Sequence, residues 1–138
     1  MLTVLRTTLL ACALLVSARA ARPCQCEGRS VREKYRASEA VFVGEVVAVS
    51  GDAEKRTMAI KFKVEEYWKG VTYPDMIVVS PLPKADSCGL AVEVGGKYLV
   101  YAWRDGQLQT SVCSSLSLEH AADELKKLGK GKPYKAKS

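Results

Sequence analysis

Histidine is nearly absent from this sequence, which has one, His120, among 138 residues. A Ser–His–Asp or Cys–His active site would have to use that residue, and a zinc site would find no second imidazole. The sequence also lacks a phosphate-binding glycine loop and the motifs of zinc proteases. Glu65 and Glu66 are neighbours on a predicted strand and would point to opposite faces, so they do not form an acid–base pair. We therefore expect a non-catalytic protein with no cofactor and no metal of its own.

Long apolar runs are also scarce, and the one at the N-terminus is short. Arg6, the apolar residues 7–16 and Ala18-Arg19-Ala20 form the three parts of a secretory signal. A membrane-spanning helix needs about 20 apolar residues, and a lipoprotein signal at Cys12 would have too little apolar sequence before it. We predict a signal peptide over residues 1–20 and a secreted or extracellular protein (periplasmic or at the cell surface in a bacterium) without a membrane span.

The cysteines are few, and their number indicates disulfides. Of the five, Cys12 leaves with the signal, while Cys24, Cys26, Cys88 and Cys113 remain in the mature chain. Four cysteines in a small exported domain fit two disulfides, with three possible pairings that the spacing does not decide. A metal site is the alternative, but one residue between the first two cysteines is fewer than structural zinc sites use.

Positive charge is concentrated at the C-terminus. The formal charge is +6, and residues 126–138 contain six lysines and no acid: Lys126, Lys127, Lys130, Lys132, Lys135 and Lys137. Residues 21–125 carry 13 basic and 15 acidic side chains. We predict one domain over residues 21–128 and a Lys-rich flexible tail over residues 129–138. Such a tail on an exported protein would meet sulfated polysaccharide or an anionic surface rather than nucleic acid.

The residue pattern of the mature chain predicts two helices and five strands. Ser30 and Glu33 form a capping box that opens a helix over residues 31–37. Apolar residues recur at helical spacing over residues 118–128, after Ser117 as N-cap and before Gly129 as the stop. The predicted strands cover residues 40–49, with a bulge at Gly44, 57–67, 76–79, 97–103 and 107–112, the last two joined by a hairpin turn at Asp105-Gly106.

The strands favour a mainly β (α+β) fold. Residues 57–67 alternate between apolar and polar side chains, which is typical of an antiparallel sheet with one wet face. Five short strands fit a five-stranded antiparallel OB-type barrel with a short N-terminal helix and a C-terminal helix. An open sheet with one helix packed across it is the alternative. Tyr101 and Trp103 share one strand face and could form a surface patch, as in barrels that bind oligosaccharides.

Six short motifs follow one another along residues 24–118: Cys24-Gln25-Cys26, residues 41–46, Tyr67-Trp68-Lys69-Gly70, Ser87-Cys88-Gly89, residues 96–101 and Thr110-Ser111-Val112-Cys113. Their order resembles the netrin-like domain, the module of the tissue inhibitors of metalloproteinases and of other exported proteins. The resemblance implies an OB-type barrel in which Cys24 joins Cys88 and Cys26 joins Cys113. The third disulfide and the second domain of the inhibitors have no counterpart here. A minimal, non-catalytic module that binds an exported protein or the matrix is implied.

The inhibitors also suggest an alternative function, the clamping of a metalloproteinase zinc. Their first cysteine holds the metal through its free α-amine and its carbonyl, a role that falls to Cys24. Gln25 would enter the specificity pocket beside Cys26, and Asp86, Ser87 and Cys88 would form the neighbouring loop. Cleavage after Ala20 would leave three residues before Cys24, so that its nitrogen is an amide with no lone pair for the metal.

Overall fold

The computed structural model describes residues 24–84 and 87–135 of the chain. The predicted signal peptide over residues 1–20 lies outside the described residues, as do Asp86 and Lys137. Over the two described ranges, no helix is long and apolar enough to cross a membrane.

The domain is mainly β, as predicted. Its elements in chain order are α1 (Val31–Ala37), β1 (Ala40–Asp52), β2 (Thr57–Lys69), β3 (Asp75–Pro81), β4 (Lys97–Asp105), β5 (Gln107–Gln109), β6 (Ser115–Ser117), a 3-10 turn (Leu118–His120), α2 (Ala122–Leu128) and β7 (Lys132–Pro133). The five predicted strands correspond to β1–β5, with shifted ends. Strands β6 and β7 are three and two residues long, too short to leave a periodic pattern in the sequence.

The first strand, β1, pairs on both of its edges. It runs antiparallel to β2 from Val41 to Asp52 and antiparallel to β4 over residues 40–45. Its register with β2 shifts three times, once between Val43 and Gly44, so the predicted bulge is present. A Cβ at Gly44 would lie 3.1 Å from Phe62 Cβ. Because bulges bend a strand and increase its twist, β1 can curve between its two neighbours.

The strand pairings form a ring, β1–β2–β3–β5–β4 and back to β1. Four contacts are antiparallel and the fifth, between β3 and β5, is a single parallel pair of Val79 with Gln109. The prediction of a wholly antiparallel sheet is wrong at this joint. Five strands cannot alternate in direction around a closed ring, so one contact must be parallel. The Thr110 N–H donates to the Val79 carbonyl at 2.8 Å and reinforces it.

Two apolar clusters lie on the two sides of this ring. The inner cluster contains the alternating residues of β2, namely Met58, Ile60, Phe62 and Val64, all of them buried as predicted. Phe62 makes edge-to-face contacts with Phe42 and Tyr98, at centroid distances of 5.5 and 6.4 Å. Edge-to-face contacts suit the charge distribution of aromatic rings. The ring interior is therefore packed with side chains.

The outer cluster lies under the two helices. It contains Val41, Leu99 and Tyr101 from the strands, against Tyr35 of α1 and Leu125 of α2. Tyr101 is 1% exposed, whereas Trp103 is 37% exposed. The predicted surface patch of these two aromatics is therefore wrong, because helix packing covers Tyr101.

The helix termini agree with the sequence in part. The Ser30–Glu33 capping box is present, with the Ser30 amide 2.7 Å from the Glu33 carboxylate, which holds the pKa of Glu33 below its usual range. At the C-terminus the predicted single helix is a 3-10 turn followed by α2, so Ser117 precedes the turn rather than the helix, and its side chain makes no capping hydrogen bond. Gly129 ends α2 as predicted, with φ at 75°.

The predicted flexible tail is partly ordered. Strand β7 pairs with Glu66 and Tyr67 of β2, and the Tyr134 N–H donates to the Glu65 carbonyl at 3.0 Å. The Tyr134 ring also packs on Tyr67, with centroids 6.2 Å apart. These contacts differ from the expectation of a flexible tail from residue 129. Paired backbone and an aromatic contact outweigh the polar composition of the segment up to residue 135.

Replacing Gly70 by alanine should destabilise the domain strongly. Gly70 has φ at 68°, and a Cβ there would lie 1.9 Å from the Glu39 carbonyl oxygen. Left-handed strain and overpacking together predict a loss of about 3 kcal/mol in the free energy of unfolding. Gly95→Ala is the matched control, because Gly95 has φ at 88° with nothing within 4 Å, and it should lose about 1 kcal/mol. Equal losses in denaturant titrations would show that the close approach of β2 to Glu39 is unimportant.

Candidate binding site

The N-terminal segment, residues 24–29, is held on one end of the ring by two disulfides. Cys24 is bonded to Cys88, and Cys26 is bonded to Cys113. This is the pairing that the resemblance implies. Residues 25–29 are nevertheless exposed, and the one backbone hydrogen bond found within the described part of this segment joins the Arg29 N–H to the Glu27 carbonyl. The segment is thus fixed at two points and open between and beyond them.

The two receiving loops are held together by their own hydrogen bonds. The Val112 N–H donates to the Cys88 carbonyl at 2.9 Å, so the loops that carry Cys88 and Cys113 are joined by their backbones. Thr110 and Ser115, both buried, share a hydrogen bond of 2.6 Å between their hydroxyls, and the Thr110 hydroxyl also donates to the Tyr101 carbonyl. Both disulfides therefore attach the N-terminal segment to one platform, formed by the two hydrogen-bonded loops that carry Cys88 and Cys113.

Ser87 organises the loop that precedes Cys88. Its hydroxyl donates to the Leu82 carbonyl and accepts from the amides of Lys84 and Gly89. Gly89 crosses so close to β3 that a Cβ there would lie 2.3 Å from the Pro81 carbonyl oxygen. Of the three residues predicted for this loop, Cys88 is bonded to Cys24 of the N-terminal segment, Ser87 directly precedes it, and Asp86 is outside the described residues.

A groove of about 580 Å³ lies between the N-terminal segment, α1 and β4. Its walls include Gln25, Arg29, Trp103, Ser111 and Ser114. Gln25 is predicted from the sequence as a protease-contact residue, and Trp103 as part of an aromatic patch with Tyr101, which also lines the groove. Ser111 belongs to one of the six motifs, whereas no local motif marks Arg29 or Ser114, which join the groove through tertiary folding.

Beneath the groove, a half-buried ion pair connects the two helices. Lys34 of α1 and Glu124 of α2 are in contact, with their side chains 16% and 18% exposed. The Lys34 ammonium also lies 5.6 Å from the centroid of the Tyr101 ring, a cation–π distance. Burial first, and then the neighbouring Glu124 carboxylate, raises the pKa of Tyr101 far above its usual range. The phenol therefore stays neutral at physiological pH.

His120 is in contact with a serine three residues before it. It is exposed, and its Nδ1 lies 2.7 Å from the Ser117 hydroxyl. In a serine hydrolase the nucleophile contacts the other ring nitrogen, Nε2, while a carboxylate holds Nδ1. The hydrogen bonds found among the described residues give His120 no carboxylate partner. The Ser117–His120 contact therefore closes the 3-10 turn.

The predicted polyanion-binding lysines lie on and after α2. Five are exposed: Lys126, Lys127, Lys130, Lys132 and Lys135. None of these five is in an ion pair with another described residue. Lys137 is outside the described residues. Lys126 and Lys127 project from α2 and Lys132 from β7, while Lys130 lies in the connection between these two elements.

The three sulfurs of Cys24, Cys26 and Cys113 lie within 4.8 Å of one another. A metal would need thiolates from them. All three are in disulfides, so the cluster offers no thiolate in this state.

No protein-family model matches the chain, and no curated protein matches it. The resemblance to the netrin-like domain therefore rests on the ordered motifs, and what it implies for function is a matter of proposal.

Removing the acid of the interhelical ion pair should cost stability. Glu124→Ala leaves the Lys34 ammonium half-buried without its counter-charge, and we expect a loss of about 2 kcal/mol in the free energy of unfolding. Glu65→Ala is the matched control, because Glu65 pairs with Lys97 at 2.8 Å where both side chains are at least 40% exposed, and it should lose under about 1 kcal/mol. A Glu124→Ala loss no larger than the control's would show that solvent screens the Lys34–Glu124 pair.

Proposed function

We propose that the chain is an exported, non-catalytic binding module of the netrin-like type, and that its strand ring is an OB-type barrel. OB barrels are five-stranded, partly open Greek-key barrels. The ring has five strands, a packed interior, and one weak joint between β3 and β5 where a single residue pair closes it. That joint would correspond to the partly open side of an OB barrel.

The observation that carries this proposal is the fastening of residues 24–29. Two disulfides hold an exposed segment against a rigid platform beside a groove. A segment held in this way loses less conformational freedom when a partner binds, and this improves affinity without further contacts. The functional surface is the N-terminal segment together with the loop of Ser87–Gly89 and the groove.

The partner is an exported protein or a matrix polymer. The ordered lysines after residue 125 supply a cationic surface that suits a sulfated polysaccharide, since such charges raise the local concentration of a polyanion. Lys126 and Lys127 sit in the last turn of α2. Lys132 is held on the edge of the sheet by β7.

The zinc clamp is a second candidate, favoured by one observation. The Cys24–Cys88 bond places the first cysteine directly beside the loop of Ser87, which is the arrangement that the resemblance requires of an inhibitory edge. The mechanism also needs a free amine on Cys24, because an amide nitrogen cannot bind the zinc that would otherwise activate water. Binding of an oligosaccharide through aromatics of β4 has less support, because Tyr101 is buried.

Neutralising the lysines of α2 and its C-terminal side should weaken binding to heparin. A triple variant should elute from a heparin column at lower salt than the unaltered protein, because fewer counterions are displaced on binding. It carries the substitutions Lys126→Gln, Lys127→Gln and Lys130→Gln. Lys55→Gln, Lys63→Gln and Lys84→Gln together remove the same charge from exposed positions elsewhere and should change elution less. Equal shifts for the two triple variants would indicate a response to net charge and contradict a site on the C-terminal lysines.

The N-terminus of the exported protein should distinguish the two candidates. A chain that starts at Ala21 should leave a panel of zinc metalloproteinases at full activity, whereas trimming to Cys24 should produce inhibition if the clamp operates. The measurement is intact mass and N-terminal sequence, followed by protease assays of both forms. A form that starts at Cys24 and does not inhibit would exclude the zinc clamp and leave the binding-module proposal in place.

A further inference from the structure

Sulfurs of the two disulfides are in contact with each other. Cys24 Sγ and Cys113 Sγ belong to different bonds and lie 3.7 Å apart. Cys26 Sγ is within 4.8 Å of both. A sulfur atom from each bond is therefore within reach of the other bond without any movement of the backbone.

The four cysteines differ in exposure. Cys26 is exposed, whereas Cys24, Cys88 and Cys113 are partly buried. Disulfides exchange when a thiolate attacks one sulfur and expels the other, and access decides which sulfur is attacked. A thiolate that arrives from solvent therefore meets Cys26 Sγ first. It forms a bond to that sulfur, and Cys113 Sγ leaves as a thiolate.

The expelled Cys113 thiolate has two sulfurs to attack. Return to Cys26 would expel the newcomer, but Cys24 Sγ lies 3.7 Å away. Attack on Cys24 forms a Cys24–Cys113 bond and releases Cys88 as a thiolate, which takes a proton from water. Two disulfides exist before and after, and one thiol is exchanged for another, so no oxidant or reductant is consumed.

We propose that this sulfur cluster is a covalent capture site for a partner that carries a free thiol. The partner is joined to Cys26, and the shift of Cys113 to Cys24 removes the thiolate best placed to expel it. Cys88 becomes the free thiol of the complex. This activity is separate from non-covalent recognition and does not depend on the binding function proposed above.

The test uses the full exported protein with reduced glutathione as the probe. After incubation under native conditions, exchange is stopped at each time point by lowering the pH, and the free thiols are then blocked with N-ethylmaleimide. The peptides are sequenced by mass spectrometry. Fragmentation across Gln25 separates modification of Cys24 from modification of Cys26. We expect glutathione on Cys26, a Cys24–Cys113 link, and maleimide mostly on Cys88 with little on Cys113.

A matched variant removes the second bond. Cys24→Ser with Cys88→Ser leaves Cys26–Cys113 without a neighbouring disulfide, so the maleimide should move to Cys113 and the glutathione should be lost faster once free glutathione is removed. The unaltered protein alone decides the case if this variant does not fold. Maleimide on Cys113, glutathione on any cysteine other than Cys26, or no adduct at all in the unaltered protein would overturn the proposal.

Discussion

The double pairing of β1 is the constraint on which the rest of the structure depends. Over residues 41–45 this strand pairs with β2 on one edge and with β4 on the other, so it joins the first half of the ring to the second. Closing so few strands into a ring requires the strands to tilt and curve. The irregularities at Val41, Val43 and Val46 and the missing side chain at Gly44 supply the bend.

The binding surface follows from that closure. Once β4 is held by β1, the chain after β5 returns across the end of the ring, and the buried Thr110–Ser115 hydrogen bond fixes the loop that carries Cys113. The loop of Cys88 is joined to it by the Val112 amide. The two disulfides then hold an N-terminal segment, which has one backbone hydrogen bond of its own, against the end of the strand ring. An exposed segment on a rigid end is the geometry that the proposed binding function uses.

Local patterns in the sequence predict much of the fold. The alternation of Met58, Ile60, Phe62 and Val64 predicts a strand with one buried face, and the capping box at Ser30 predicts α1, because both depend on near neighbours in the chain. The parallel joint between β3 and β5 has no such local signal. It follows from the number of strands in the ring, which no single segment encodes.

The candidate site was less predictable, for a related reason. The cysteines can be recognised by type, but the groove is formed by residues such as Arg29, Trp103 and Ser111 that meet only in the folded chain. The sequence predicts Tyr101 as a surface residue, but the helices cover it. It predicts Lys132 as part of a flexible tail, but β7 pairs with β2. Tertiary contacts override local composition at each of these positions.

The late position of β4 along the chain has a consequence for biogenesis. The edge of β1 that pairs with β4 has no partner while β2, β3 and the long connection to Lys97 are synthesised, because β4 begins at Lys97. An unpaired strand edge is prone to pair with other chains, and contacts between distant parts of a chain form slowly. While it is being synthesised, the chain therefore presents a half-finished sheet, and this edge can pair only once residues 97–102 have been made.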